Sequence, residues 1–192
     1  MTSEPRVRPG ASGDVGAVVE LLSEAAEYVR LREGRAGWPI PFPAEEVRAA
    51  AARGELRVLE SGGRIVASYF LLWDDPRFWG RQPPVAGYLH KLAVRAADRG
   101  RGVGAAALDG AATEVARAGR SFLRLDCLAS GERLVAFYRG AGFEAVDEVE
   151  LGPASDRRRY LLMERPVGAG PAVPSSGVDP KNAGPLARGA KR

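Results

Sequence analysis

The sequence predicts an α+β fold in which a mixed β-sheet packs against helices. Three observations support this prediction. Amphipathic helical patterns alternate with short β-rich segments along the chain. Two β-rich segments flank the tight turn Ser61-Gly62-Gly63, which predicts a hairpin. A glycine-rich turn then leads from another strand into an alanine-rich helix, as in a crossover connection. Hairpins combined with one crossover helix favour a sheet with both antiparallel and parallel neighbours.

The elements follow from apolar periodicity and from the positions of Gly and Pro. In chain order we expect a strand at 6–8, a helix from 12 to about 32, a helix at 44–53, strands at 56–60 and 64–73, a strand at 85–94, a helix to about 118, a strand at 122–127, a helix at 132–141, and closing strands near 143–149 and 160–164. The segment 38–43 contains three prolines, which fix φ and remove backbone donors, so it is predicted to be irregular.

Length and charge indicate one domain with a basic tail. The 192 residues suit a single domain, which we place at residues 1–166. Residues 167–192 are rich in Gly, Pro and Ala and have no apolar period, so we expect them to be disordered. This tail has a net charge of +3, from four basic residues and one acidic residue, and the whole chain has +4. Because the folded part lacks a basic excess, no nucleic-acid partner is expected.

Several other classes are disfavoured by what the sequence lacks. It has no run of about 18 apolar residues and no secretory signal, so we expect a cytoplasmic protein without a membrane partner. Cys127 is the single cysteine and His90 the single histidine, which argues against a disulfide framework and against a bound metal. We expect a monomer or a homodimer.

The central signal is the turn Arg99-Gly100-Arg101-Gly102-Val103-Gly104 between a strand and a helix. Glycines allow backbone N–H groups to converge without obstruction by Cβ atoms. The start of the following helix adds unpaired donors and a positive dipole. The sequence therefore predicts an anion site here, in the first place for a pyrophosphate, with charge-assisted contacts from Arg99 and Arg101.

The turn also has features of other glycine-rich motifs. A Walker-type loop needs Lys followed by Ser or Thr, and Ala105-Ala106 stands there instead. A dinucleotide-binding fingerprint matches the spacing of Gly100, Gly102 and Ala105, with Asp126 at the end of the next strand. That interpretation is disfavoured because residues 95–99 separate the strand from its first glycine. A merely flexible turn would not need three alternating glycines.

Two motifs in this order resemble the GNAT superfamily of acetyltransferases. The pattern Arg99-x-x-Gly102-x-Gly104, preceded by Leu92-Ala93-Val94, resembles the family's coenzyme A motif. Residues 137–143, FYRGAGF, resemble its "FYxxxGF" segment. The element order also matches over almost the whole folded region. The resemblance implies a mixed, mostly antiparallel central sheet flanked by helices, and acetyl-CoA as cosubstrate.

The resemblance also implies residue roles. The backbone of Leu92, Ala93 and Val94 would pair with the pantetheine arm, and the amides of the glycine turn would bind the pyrophosphate. Tyr138 would lie near the sulfur and protonate the departing thiolate. One position departs from the family, since Gly131 stands where many members have an asparagine that contacts the cofactor.

Acetyl transfer also needs a base that deprotonates the amine, and the sequence defines this base less clearly than it defines the acid. Residues 88–94 are similar to the corresponding strand of arylalkylamine acetyltransferases, in which a histidine at the position of His90 is a proposed base. Imidazole titrates in the right range for that role. A structural role for His90 is the alternative. Regular strand alternation places His90 on the same face as Leu92 and Val94.

Two further side chains end the next strand. Asp126 is expected to be a cap or turn acceptor, although it could instead orient an amine or a water. Cys127 is expected to be a small buried hydrophobe.

Aromatic residues fall in the segments that would border the acceptor, which is consistent either with an apolar or aromatic amine or with ordinary packing under the proline-rich loops. They are Tyr28, Trp38, Phe42, Trp73, Phe78 and Trp79. The basic run 157–159 could meet an anionic acceptor group. We therefore expect a small-molecule amine as acceptor, attacked directly in a ternary complex. The alternatives are acetylation of a protein N-terminus or lysine, and a non-catalytic acyl-CoA-binding module.

Overall fold

A single central sheet organises the molecule, for which the computed structural model describes residues 4–34 and 36–168. Its strands are β1 (Arg6–Pro9), β2 (Leu56–Ser61), β3 (Arg64–Leu72), β4 (Ala86–Val94), β5 (Phe122–Leu128), β6 (Glu144–Leu151) and β7 (Arg158–Pro166). The strand order is β1-β2-β3-β4-β5-β7-β6, and within the described part of the chain only β4 and β5 are parallel neighbours. The predicted α+β fold with a mixed, mostly antiparallel sheet is therefore confirmed.

Helices cover both faces of the sheet. They are α1 (Val15–Glu33), α2 (Ala44–Ala52), α3 (Pro76–Trp79), α4 (Val103–Arg117) and α5 (Glu132–Gly140). Helices α4 and α5 bury one apolar core against the sheet, and α1 and α2 bury another on the opposite face. The predicted elements agree with these bounds to within about three residues, apart from α3, which was not predicted. Asp75 caps α3 by accepting from the Phe78 N–H at 3.4 Å, and Pro76 follows at a position that tolerates proline.

A bulge in β4 reverses which side chains face which core. In the pairing with β3, Ser68 lies opposite Ala93 and Phe70 opposite His90, so β4 holds one extra residue here. Lys91 accommodates it with a positive φ of 54°. Leu92 and Val94 therefore pack under α4, whereas His90 lies on the opposite face. The expectation that these three residues share a face is wrong, because the bulge interrupts the alternation.

The parallel strands β4 and β5 separate halfway along their length. They pair from Ala86–Phe122 to Leu89–Leu125, and no later pair joins them within residues 4–34 and 36–168. Beyond that point β4 continues along β3, and β5 continues along β7. A gap thus opens in the middle of the sheet, with an unpaired backbone edge on β4 from His90 onward.

The folded domain continues slightly past its predicted end. Val167 is only 4% exposed, and its N–H donates to the carbonyl of Ser121 at 2.9 Å. Residues 169–192, most of the expected tail, lie outside the described residues, so their disorder stays a prediction. None of the described helices has the length and apolar character needed to cross a membrane.

Candidate active site

The glycine turn connects β4 to α4 at the rim of the gap. Gly100 and Gly102 have φ values of 75° and 79°, a left-handed conformation that favours glycine. Because the first N–H groups of an α-helix have no partner within the helix, those of Val103 and Gly104 at the start of α4 are available to a ligand. Such amides at the start of a 15-residue helix are suited to binding an anion. The geometry fits the predicted pyrophosphate contact.

Gly104 brings the separate sequence motifs together. A Cβ atom at this position would lie 3.1 Å from Cζ of Phe137 and 3.8 Å from Cγ2 of Val94. Phe137 begins the FYRGAGF segment on α5, and Val94 ends β4. The strand, the turn and the aromatic segment therefore meet at one glycine, where a Cβ atom would require the Phe137 ring to shift by a few tenths of an ångström.

Arg99 faces α1 rather than open solvent. Its Nε donates to the carbonyl of Val94 at 3.1 Å, and its guanidinium lies 4.2 Å from the ring centroid of Tyr28. Glu24 lies 3.6 Å from the same guanidinium and also accepts from the N–H of Ala96. Arg99 thus connects the start of the turn to α1, whereas Arg101 is exposed beside it.

On the α1–α2 face of the gap, His90 lies between two carboxylates. Its Nε2 atom is 3.2 Å from Oδ2 of Asp75, and its Nδ1 atom is 3.4 Å from Oδ1 of Asp126. A neutral imidazole carries one N–H, so it can donate to only one of these two groups. Burial, reinforced by the nearby charge of Asp75, raises the pKa of Asp126 to about 6. The Asp126 carboxyl therefore keeps its proton to a higher pH than an exposed aspartate does.

The same three side chains offer ligand atoms within 4.8 Å of one another. The two carboxylates, however, approach different nitrogens of one ring. That arrangement suits proton sharing better than the enclosure of one cation, which needs all donors to converge on a point. The expected absence of a metal stays a prediction.

Two members of this cluster differ from the sequence expectations. Asp126 was expected to be a cap or turn acceptor, and that expectation is wrong, since its side chain lies beside His90 on the face opposite Leu125 and Cys127. Asp75 was not singled out at all. The Asp-Pro pair at residues 75–76 is a helix-start signal that could have revealed the cap. The contact with His90 depends on the tertiary fold.

Tyr138 approaches the gap from the other face. It is buried on α5, with its ring 5.8 Å from that of Phe143, in the core that also contains Leu89 and Cys127. Burial raises the pKa of the Tyr138 phenol above its usual range, so the group keeps its proton at neutral pH. His90 and Tyr138 therefore lie on opposite faces of the sheet.

Cys127 is confirmed as a buried residue with a hydrophobic role. Its Sγ atom lies 3.7 Å from Sδ of Met163, and burial raises the pKa of its thiol to about 11. A protonated thiol is a poor nucleophile.

Only some of the aromatic residues border the site. Trp38 and Phe42 lie beside Lys91, and the ring of Phe78 is 6.1 Å from that of His90. Trp73 instead stacks with Arg120 on the α4 side, and Trp79 packs against Tyr88. The expectation that all three tryptophans border the acceptor is therefore wrong.

The basic run 157–159 is balanced by nearby acidic groups. Arg157 lies 3.9 Å from Glu150, Arg158 lies 3.1 Å from Asp156, and Arg159 lies 3.1 Å from Glu148. These pairs weaken the case for an anion site in the closing hairpin.

Comparison with known proteins identifies the family. The model of the acetyltransferase (GNAT) family matches residues 18–143. The chain belongs to this family. A curated GNAT-like relative, "Uncharacterized N-acetyltransferase YesJ" of Bacillus subtilis, is 28% identical over 170 residues, which is 84% of this chain and 89% of the relative.

Solved structures share the GNAT fold. A Salmonella typhimurium protein, yncA, was solved with its cofactor acetyl-CoA. It superposes with a TM-score of 0.67 at 14% identity, over 91% of this chain and 100% of its own. The PaiA N-acetyltransferase of Thermoplasma acidophilum, in complex with coenzyme A, gives a TM-score of 0.65 at 13% identity, over 85% and 99% of the two chains.

Gly131 marks the position where many GNAT members carry asparagine. It begins α5, and a Cβ atom there would lie 3.2 Å from the carbonyl oxygen of Leu128. An asparagine would require that backbone to shift by a few tenths of an ångström. The local turn is thus fitted to glycine.

Proposed function

We propose that this protein is an acetyl-CoA-dependent N-acetyltransferase that transfers an acetyl group to a primary amine of a small molecule by direct attack in a ternary complex. One observation carries the proposal. The gap between β4 and β5 has an anion-binding turn and Tyr138 on one side, and His90 with two carboxylates on the other. The two substrates of such a reaction would therefore meet at the gap from opposite faces.

The cofactor half of the site rests on backbone groups. We assign the unpaired edge of β4 at Leu92, Ala93 and Val94 to the pantetheine arm, which carries amides of its own. The amides of residues 100–104 would hold the pyrophosphate. Support comes from the family match and from the acetyl-CoA and coenzyme A present in the yncA and PaiA structures.

The transfer half needs two proton movements. Acetyl-CoA supplies the acetyl group as a thioester; a C–N bond forms, the C–S bond breaks, one proton leaves the nitrogen and one reaches the sulfur. His90, with Asp75 and Asp126 at its two nitrogens, would accept the proton from the amine. Tyr138, protonated at neutral pH, would donate to the sulfur. Backbone N–H groups near the bulge could polarise the carbonyl.

A thiol-release assay tests this proposal. Purified protein is incubated with acetyl-CoA and a panel of primary amines, amino-sugars and peptides. We expect thiol release with small amines and a fall of about 100-fold in kcat/KM for His90→Gln. Stabilisation of the variant by acetyl-CoA in a thermal-shift assay is the control for folding. A His90→Gln enzyme with a normal pH–rate profile would remove His90 as the base.

The same assay separates the alternatives. A non-catalytic module would be stabilised by acetyl-CoA and release no thiol with any amine. A protein acetyltransferase would release thiol only with peptides. Stabilisation by NAD but not by acetyl-CoA would favour the dinucleotide interpretation instead.

A further inference from the structure

Lys91 is an unusual residue on the acceptor face of the gap. It occupies the bulge with a left-handed φ of 54°, which turns its side chain toward α1 and α2. Its ammonium lies 5.2 Å from the ring centroid of Trp38 and 5.8 Å from that of Phe42. Lysine gains nothing from a left-handed backbone, so the conformation is held by the surrounding sheet.

This ammonium has no anionic partner in contact. Within residues 4–34 and 36–168, the ammonium of Lys91 forms no hydrogen bond and no ion pair. Glu46 and Asp126 attract it from beyond ion-pair distance, and Arg77 repels it. Removal from water lowers the pKa of Lys91, which is the usual effect of burial on an unpaired cation. Aromatic rings compensate for only part of this desolvation.

On the acceptor face, acidic and basic side chains therefore lie at different places. Asp75 and Asp126 flank His90, where the amine must lose its proton. Lys91 is positioned next to them, and Arg77 lies nearby over the ring of Phe78 at 5.6 Å. A ligand with a positive and a negative end would match both halves of this face.

We infer that the acceptor carries an anionic group of the carboxylate type besides its amine, and that Lys91 binds this group. The inference rests on the proposed acetyl transfer to a small-molecule amine. With Trp38, Phe42 and Phe78 around the charged groups, the substrate class is an amino-carboxylate with an apolar side chain. Lys91 is then a specificity-determining residue, since it contacts the substrate away from the reacting nitrogen.

Matched pairs of amines test this inference. Tryptophan is compared with tryptamine, and phenylalanine with phenethylamine, because the members of each pair differ only in the carboxylate. We expect kcat/KM to favour the carboxylate member by about tenfold or more, as for a hydrogen bond to a charged group. The variant Lys91→Met keeps the apolar part of the side chain. It should lower kcat/KM for the carboxylate member of each pair about 10- to 100-fold, and kcat/KM for the member without a carboxylate far less. Lys91→Arg should restore part of the preference.

Arg159→Met is the matched control, because it removes a cation from the closing hairpin, and it should leave the ratio within each pair unchanged. Equal turnover of both members by the native enzyme would overturn the inference, as would an equal loss of both in Lys91→Met. Absence of thiol release with every amine would instead count against the proposed function. The two failures are therefore distinguishable.

Discussion

Nε2 of His90 lies 3.2 Å from Oδ2 of Asp75, and this contact joins β4 to the loop that begins α3. Both atoms are buried, and the approach is not aligned as a regular hydrogen bond. Asp126 approaches the other nitrogen of the same ring. The imidazole thus lies between two carboxylates at the edge of the gap.

Asp75→Asn tests whether this carboxylate positions His90. Asparagine keeps an oxygen that can cap α3, so we expect the fold to survive. Loss of the negative charge should lower kcat/KM about tenfold or more and alter the pH–rate profile, because the proposed base loses one of its two carboxylate neighbours. Asp74→Asn, an exposed neighbour, is the control and should behave as the native enzyme. An unchanged pH–rate profile in Asp75→Asn would show that Asp75 only caps α3 and does not position His90.

Asp126→Asn should separate stability from activity. The folded state raises the pKa of Asp126 from 3.8 to about 6, so it binds this proton more tightly than the unfolded chain does. Above pH 6 the ionised carboxylate therefore destabilises the fold. We expect the variant to be more stable than the native protein at about pH 8, by up to about 3 kcal/mol. The gain should disappear below about pH 4.

Denaturant titrations at several pH values measure this difference, and thiol release measures the accompanying loss of rate. Asp74→Asn again provides the control for removal of an exposed carboxylate. A variant that is less stable than the native protein at pH 8, with no difference below pH 4, would show that the charge of Asp126 is stabilised by its neighbours rather than destabilised by burial.

Tyr138→Phe should slow the reaction while preserving the fold. The ring contacts with Phe137 and Phe143 remain, and only the hydroxyl is lost. We expect kcat to fall about 100-fold, since the leaving sulfur loses its proton donor, with little change in melting temperature. Tyr69→Phe makes the same chemical change at another buried tyrosine, whose hydroxyl has no hydrogen-bond partner. It should keep full activity; equal rates for both variants would exclude Tyr138 as the acid.

Gly102→Ala should weaken acetyl-CoA binding specifically. Its φ of 79° is unfavourable for alanine, by about 1 kcal/mol, and any relaxation would move the unpaired amides of the turn. Gly119→Ala introduces the same strain, at a φ of 73°, beyond the far end of α4. Both variants should lose similar stability, and only Gly102→Ala should raise the dissociation constant measured by calorimetry. Equal affinity in the two would argue against the pyrophosphate assignment.

The sequence predicted most of the architecture because periodicity and turn residues are local signals. Strand β4, the glycine turn and α4 each follow from such signals within about ten residues. The bulge at Lys91 does not, because a positive φ at lysine contradicts its intrinsic preference and is imposed by pairing with β3. Sequence alternation therefore placed His90 on the wrong face.

The acidic partners of His90 illustrate a second limit. Asp75 follows β3, Asp126 belongs to β5, and His90 lies on β4 between them in the sheet. Their convergence depends on sheet order and on the loop before α3, neither of which the chain reveals locally. Tyr138, by contrast, belongs to the contiguous motif FYRGAGF, which could be recognised in the sequence; the structure places it on α5, buried in the core.

Because β4 and β5 separate, the sheet divides the two sides of the molecule except at the gap between these strands. In the proposed reaction the spent cofactor withdraws on the α4 side and the acetylated product on the α1 side, so neither blocks the exit of the other. An inhibitor that joins features of both substrates would have to pass through the gap between β4 and β5 as an extended chain. Its linker would run along the unpaired edge of β4, where backbone amides could hold it.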